Sequence, residues 1–316
     1  MAEAGEVEIL AGGELRFGLT TAEDEQLSDG EGDRGYAFFT DSELYIEADV
    51  SPSDDLEIGA KVVLEADADI EEVNADETYM FVESGFGLLQ LGRTEGAEDS
   101  MALGADTIAA GTGGIDGDTE NLGEVAIVNS GDAAKISYYT PRFFGVQAGL
   151  SVTPDTGDDE GGATDLDEDD ELVDLDDHLG VGINALGDLG EFEVGLAVVG
   201  SYGKSGDAAG DDLDAFSVGG TLGLGELEVG ASAGRSNAAD DIDFATLGAT
   251  FGFGEVNAGI GYNYVDEKAA GITHVIALSG DMELVEGIEL QADLSYADPE
   301  DNRTNLASVL VLELSF

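Results

Sequence analysis

Acid chemistry dominates this chain: 71 of its 316 residues are Asp or Glu, against 10 Lys or Arg and two His. With so many carboxylates, a close pair says little about acid–base catalysis, which needs a shielded group with a tuned pKa. Ser151, Ser201 and Ser217 are possible nucleophiles, yet no histidine is recognisable in the sequence as their partner. His178 opens an alternating segment beside Asp176 and Asp177 and reads as a solvated rim residue. His274 shares a face with Ile272 and Ile276 and reads as an interface residue. Cysteine is absent, which excludes disulfides, thiolate zinc sites and thiol catalysis. With two histidines a multi-histidine metal centre is excluded as well. Runs such as Gly223-Leu224-Gly225 lie between strand-like segments, not ahead of a helix, so phosphate binding is not indicated. No enzymatic activity is expected.

The formal charge of −61 excludes nucleic acid as a partner, because the phosphate backbone would be repelled. Such a charge often accompanies disorder, but 42% of the residues are apolar and the mean hydropathy is −0.03, so the chain has enough to bury. No run approaches the 18 apolar residues of a membrane-spanning helix. Met1-Ala2-Glu3-Ala4-Gly5 reads like a mature exported terminus preceded by an added Met.

The elements that must position these groups follow a period of two. Val7, Ile9, Ala11, Gly13, Leu15, Phe17 and Leu19 share one face, opposite Glu8, Gly12, Glu14, Arg16 and Gly18. The pattern recurs at Leu44-Ile46-Ala48-Val50 and at Leu56-Ile58-Ala60-Val62-Leu64. Alternation of this kind marks strands with one apolar and one polar face. It predicts sixteen strands, near 6–20, 36–50, 56–67, 76–85, 88–95, 133–140, 144–153, 178–186, 191–202, 213–223, 226–235, 241–251, 255–266, 271–282, 288–297 and 303–316. The best candidate for a helical turn lies within 95–110.

Tight connections such as Gly85-Phe86-Gly87 and Gly187-Asp188-Leu189-Gly190 alternate with long acidic ones at 21–35, 94–132, 154–177, 203–212 and 298–302. Phe86, Phe143, Phe144, Phe192, Phe251, Phe253 and Phe316 sit beside the tight turns, and Tyr36, Phe38, Tyr202, Tyr262, Tyr264 and Tyr296 toward the long loops. An even strand number, segregated loops and two aromatic bands are the pattern of an outer-membrane barrel. The charges fall on the polar strand face, where a barrel has its water-filled lumen. The expected fold is an all-β, 16-stranded antiparallel transmembrane β-barrel, with residues 1–316 as one domain.

Three segments carry a more specific resemblance. Gly85-Phe86-Gly87-Leu88-Leu89-Gln90-Leu91-Gly92-Arg93 resembles the strand–turn–strand signature that leads into the constriction loop of trimeric Gram-negative general porins. Residues 135–149, from Lys135-Ile136-Ser137-Tyr138-Tyr139 to Val146-Gln147-Ala148-Gly149, are similar to the hairpin that follows this loop in alphaproteobacterial porins. The ending Leu306 to Phe316 is similar to the C-terminal signal read by the barrel-assembly machinery, with Phe316 as its last residue.

The resemblance implies a homotrimer in the outer membrane, among lipid and lipopolysaccharide, each barrel holding its own pore. It implies that 94–132 folds inward, and that its acids Glu95, Glu98, Asp99, Asp106, Asp116, Asp118 and Glu120 face basic wall residues across a constriction. Arg16, Lys61 and Lys135 point to the lumen by strand parity. Arg93 matches by motif, although alternation from Leu89 and Leu91 turns it outward unless a bulge lies near Gly92. Ten basic residues cannot build a dense cationic cluster, so a lumen that prefers cations is expected. The competing reading makes the acidity a solvation trait of a salty habitat.

The expected function is passive diffusion of small hydrophilic solutes and cations, with no cofactor. The alternative is a non-transporting acidic surface protein with a plugged barrel. The lack of Trp, with Tyr45 and Tyr79 as the few inward aromatics, argues against a sugar-specific channel. Gly113-Gly114-Ile115-Asp116-Gly117-Asp118 resembles one turn of a calcium β-roll, which needs tandem copies to bury a core. Weak Ca²⁺ coordination stays open for Asp167, Asp169 and Asp170 in the 154–177 loop, where 155–177 holds 13 acids among 23 residues.

Overall fold

The computed structural model describes residues 5, 7–22, 35–53, 55–65, 75–119, 122–123, 125–156, 175–205, 212–237, 241–268, 270–299 and 305–316. Sixteen strands follow in chain order: β1 (Val7–Ala22), β2 (Ala37–Ser53), β3 (Leu56–Glu65), β4 (Thr78–Ser84), β5 (Gly87–Arg93), β6 (Ala134–Tyr139), β7 (Val146–Asp155), β8 (Leu175–Leu189), β9 (Phe192–Ser205), β10 (Leu213–Leu224), β11 (Leu227–Ser236), β12 (Ile242–Phe253), β13 (Val256–Glu267), β14 (Gly271–Val285), β15 (Ile288–Pro299) and β16 (Asn305–Ser315). Each is antiparallel to its neighbours, and β16 pairs with β1 to close the barrel. The seam ends where Phe316 and Gly13 exchange two backbone hydrogen bonds of 3.0 Å. Closure leaves no edge strand unpaired, which lets a sheet lie in hydrocarbon.

Alternation decides which face meets which medium. Ile9, Phe17, Ile136, Ile183, Leu196, Phe216, Leu247 and Leu312 point outward and are exposed, while Ser137, Ser151, Thr153, Asn263 and Ser295 are fully buried inside. An apolar exterior around a polar interior is the inverse of a water-soluble protein and matches a barrel set in lipid. The Phe residues beside the tight turns and Tyr36, Phe38, Tyr202, Tyr262 and Tyr296 beside the long connections are all exposed, forming the two bands. Among the described residues no helix is long and apolar enough to cross a membrane; the strands do the crossing.

The tight turns have a simple chemistry. Gly190, Gly225 and Gly254 each stand first of two residues between paired strands, with φ of +74°, +60° and +75°. A positive φ at that position suits the right-handed twist of the flanking strands, and glycine adopts it without a steric penalty.

Aromatic side chains also line the inner wall, more of them than Tyr45 and Tyr79. Phe39, Phe81, Tyr139 and Phe244 lie across Gly18, Gly59, Gly149 and Gly234, where an added Cβ would fall within 3 Å of the ring. Each ring fills the hollow that a cross-strand glycine leaves. Phe81, Tyr139 and Phe244 are therefore buried and offer no surface to a passing solute.

Candidate functional site: loop 94–132 and the wall beneath it

The segment between β5 and β6 folds into the barrel. It contains a one-turn helix, α1 (Ala97–Ser100), and two 3-10 turns at Asp106–Ile108 and Gly114–Asp116. Its apolar side chains Ala97, Met101, Ala105, Ile108, Ile115, Val125 and Ile127 are buried against the wall. Polar wall residues take its backbone groups in sequence. Ser151 accepts from the Ala97 N–H at 3.1 Å, Asn184 donates to the Met101 carbonyl at 3.5 Å, and Thr246 accepts from the Ala105 N–H at 3.4 Å. Farther on, Asp281 accepts from Gly111 N–H at 3.0 Å and Asp293 from Thr112 N–H at 2.7 Å. The returning limb is held by Asn263 on the Gly123 carbonyl and by Ser236 on the Val128 N–H.

The bed for this loop is made of glycine. An added Cβ would lie 1.5 Å from Glu98 Oε2 at Gly180, 2.9 Å from Leu103 Cδ1 at Gly195 and 1.8 Å from Leu103 O at Gly219. It would lie 2.1 Å from Gly104 O at Gly230, 3.0 Å from Ala105 Cβ at Gly248 and 2.6 Å from Ile115 Cγ2 at Gly261. These positions supply one bare site on each of six consecutive strands, β8 to β13. Only glycine lets the loop come this close, with its backbone at Gly219 and Gly230 and with side chains at the other four. The period of two marks these glycines as inward-facing, but nothing local shows that a loop will cover them.

Three of the four expected basic residues take different roles. Arg16 places Nη1 2.5 Å from Asp41, its other terminal nitrogen against Asp118, and Nε 3.6 Å from Glu14. It is the wall base that meets a loop acid. Lys61 pairs with Glu77 at 3.4 Å and stands 5.8 Å above the Tyr45 ring. Lys135 is 4% exposed and donates to the carbonyls of Thr94 and Gly131, so it clamps the two roots of the loop and does not face the water. Arg93 is half-buried at the end of β5. No bulge accompanies it: Gly92 and Arg93 pair one-to-one with Tyr79 and Thr78 on one side and with Lys135 and Ala134 on the other. Gly92 meets the local geometry by its φ of +143°.

The acids also divide. Glu98 is buried, its carboxylate accepting from Ser130 N–H at 3.1 Å, Ser130 Oγ at 2.8 Å and Ser151 Oγ at 2.8 Å. It faces the wall. Asp116 is exposed and Glu95 reaches water from a crowded site at the loop root, whereas Asp99, Asp106 and Asp118 are half-buried. Glu120 lies outside the described residues, as do Asp167, Asp169 and Asp170. Loss of water and the nearby Asp99 and Glu77 charges push the Glu95 carboxyl up to about 7. Asp99 is raised by burial and then by Glu98, and Asp106 is raised by burial. Asp132, which the sequence reasoning passed over, is pushed up to about 8 by burial and by Asp76 and Glu77. Its signal was its position at the loop root, next to Lys135.

His178 is not a solvated rim residue: it is fully buried, and its Nε2 lies 2.6 Å from Ser201 Oγ. The reason is parity, since Leu179, Val181 and Ile183 point outward and put residue 178 inside. Ser201 thus does have a histidine partner, contrary to the sequence reading. The pair is not a hydrolytic triad, because no acid bonds Nδ1 and no solute reaches the ring. His274 is exposed, accepts or donates at 2.8 Å with the Tyr262 hydroxyl, and packs between Tyr262 and Tyr264 in the upper aromatic band.

Comparisons with known proteins agree with this geometry. The Gram-negative porin family matches residues 1–302. The chain is similar to an anion-selective porin from Comamonas acidovorans, with TM-score 0.73 and 17% identity over 98% of this chain and 100% of that one. It is similar to the trimer form of OmpT from Vibrio cholerae, with TM-score 0.70 and 14% identity over 99% and 100%. A Rhodopseudomonas blastica porin variant gives TM-score 0.69 and 17% identity over 98% and 100%. At these identities the likeness speaks for the fold. An uncharacterised protein of Rickettsia typhi is 28% identical over 150 residues, 38% of this chain and 34% of that protein. The chain thus spans about a third of the length of the curated relatives it matches. A closed sixteen-stranded barrel with its apolar face outward, an inward loop between β5 and β6 and a family match over nearly the whole chain lead to one conclusion: the protein belongs to the Gram-negative porin family and is an integral β-barrel of the outer membrane.

Proposed function

We propose that this porin is a homotrimeric general diffusion channel whose lumen admits small hydrophilic solutes and prefers cations. The observation that carries the charge preference is the state of the bases at the loop. Arg16 is held by three carboxylates, Lys61 by Glu77, and Lys135 by backbone carbonyls inside the wall. Glu14, Glu43, Asp281, Glu289 and Glu313 share the same inner face by strand pairing and alternation. These acids lie on five adjacent strands, and such a carboxylate-lined wall raises the local concentration of cations and lowers that of anions. The trimer form of the Vibrio cholerae protein supports the oligomeric state. The apolar exterior supports lipid and lipopolysaccharide contact, and the exposed terminal Phe316 supports handling by the barrel-assembly machinery.

The deciding experiment is a planar-bilayer recording across a tenfold KCl gradient. Conductance steps in groups of three with a cation-selective reversal potential are expected. A zero reversal potential would remove the charge preference and leave the acidity as a solvation trait. A folded barrel that conducts nothing would transfer the protein to the plugged, non-transporting reading.

A further inference from the structure

Beneath α1 lies a buried polar pocket that the diffusion mechanism does not use. Glu98 enters it from the loop and rests directly on Gly180 of β8. Ser151 of β7 and Ser130 of the returning limb saturate its carboxylate with three hydrogen bonds. His178 of β8 stands beside it, Nε2 3.9 Å from Glu98 Oε1, with both side chains fully buried. Ser201 of β9 shares a hydrogen bond with the same nitrogen. The remaining ring nitrogen, Nδ1, has no hydrogen-bond partner. The charged groups that face this pocket are Glu98 from the loop and Lys135 from β6. Glu95, Asp99 and Asp132 lie around Lys135 and α1, Arg93 on β5 lies near Lys135, and Tyr139 of β6 bonds Ser100.

The pocket is balanced for one protonation state. A neutral imidazole has a single N–H, and Ser201 can satisfy it at Nε2. An imidazolium would add an N–H at Nδ1 with no acceptor, and an unpaired buried donor is costly. Glu98 would attract that charge across 3.9 Å, drawing its carboxylate toward the ring and away from the Ser130 and Ser151 donors, with Lys135 nearby as a second cation. If the proton went to Glu98 instead, the new O–H would displace one of the donors from Ser130 or Ser151. Each route weakens the same contacts, namely those holding Ala97 to Met101 on the wall.

We propose that His178 is a positioning residue for the constriction loop: its neutral ring lets Glu98 seat α1 on the β7–β9 wall, and protonation of the pocket lifts the loop root into the lumen. Movement can only be inward, because the barrel wall closes the other direction, so acid narrows the channel. The response belongs below histidine's ordinary pKa of about 6.5, where a ring released from the pocket takes up a proton. Glu95 and Asp132, at about 7 and about 8, take up their protons at higher pH, and that uptake favours the folded loop in acid, so it opposes the response and cannot produce it.

The test is amide hydrogen exchange of residues 97–103 in the detergent-solubilised trimer, with single-channel conductance of the same preparations. For the wild type, exchange corrected for the intrinsic chemical rate should be at least about tenfold faster near pH 5 than near pH 7. Conductance should fall about twofold over the same interval. His178→Gln keeps an amide near the Nε2 position and cannot titrate, so both responses should vanish in it. A wild type without the exchange response, or a His178→Gln variant that retains it, overturns the proposal. Should His178→Gln not fold, Glu98→Gln replaces it: exchange at neutral pH should match the acid rate of the wild type, and a slow neutral rate overturns the idea. The conductance arm rests on the channel reading above, whereas the exchange arm does not. An exchange switch without conductance at any pH would leave His178 in this role and remove the channel reading alone.

Discussion

Arg16 on the first strand and Asp118 in the inward loop, 102 residues apart in sequence, form an ion pair that ties the far limb of the loop to the barrel seam. The Arg16 side chain is 13% exposed and Asp41 completes the cluster. Breaking a buried pair leaves the surviving charge without compensation, which costs several kcal/mol; here both acids retain some water, so the expected loss is about 1–3 kcal/mol. A double-mutant cycle of Arg16→Gln and Asp118→Asn should give a coupling energy above about 1 kcal/mol. The Arg16→Gln channel should also become more cation-selective, because three acids, Glu14, Asp41 and Asp118, lose their counter-charge. Additive single effects would remove this pair as an anchor.

Lys135 should behave differently. Lys135→Met leaves the Thr94 and Gly131 carbonyls without their donor and should destabilise the loop root by about 1–3 kcal/mol. Since Lys135 is 4% exposed, its loss should shift the reversal potential less than Arg16→Gln does. Equal shifts in the two variants would place Lys135 in the water-filled constriction after all.

The glycine bed offers a steric test. Gly219→Ala brings a methyl to within 1.8 Å of the Leu103 carbonyl, so the loop must lift off the wall. Overpacking of this kind costs about 1–3 kcal/mol, and the conductance should fall as the loop moves inward. Gly187→Ala, where an added Cβ meets nothing within 4 Å, is the control and should be silent. A normal conductance in Gly219→Ala would show that the loop is not seated by this contact.

The loop-root carboxyls predict a pH effect of defined sign. Glu95 at about 7 and Asp132 at about 8 gain negative charge as pH rises from about 6 to about 9. Cation preference should therefore increase with pH over that window, and Glu95→Gln with Asp132→Asn should flatten the profile. The linked stability has the opposite slope. The folded state binds more protons than the unfolded chain between the ordinary carboxylate range and these raised values, so stability falls as pH rises over that span and levels off above about 8. Thermal melts that rise with pH in the wild type would contradict both raised values.

Much of the barrel was legible in the sequence because alternation is a local property. Strand β10, expected at 213–223, runs Leu213–Leu224, and β13, expected at 255–266, runs Val256–Glu267. A strand in a lipid-set barrel has one face in hydrocarbon and one in water, so its chemistry repeats every two residues without reference to any distant part of the chain. The same parity aims Arg16, Lys61 and Lys135 inward. What parity could not supply was the partner. Whether an inward group faces water, another strand or the loop depends on contacts across 25 to 181 residues, as in Arg16–Asp41 and Thr112–Asp293. That is why Glu98 and Lys135 looked like lumen residues and turned out to be buried under the loop, and why His178 looked solvated. By itself the sequence determined the sixteen strands, their inner and outer faces, the acidic character of the lumen and the segment that breaks the period. Only the tertiary structure decided how that segment lies: backbone and side chains packed on glycines from six strands, held by carboxylates and hydroxyls whose partners meet only when the barrel closes.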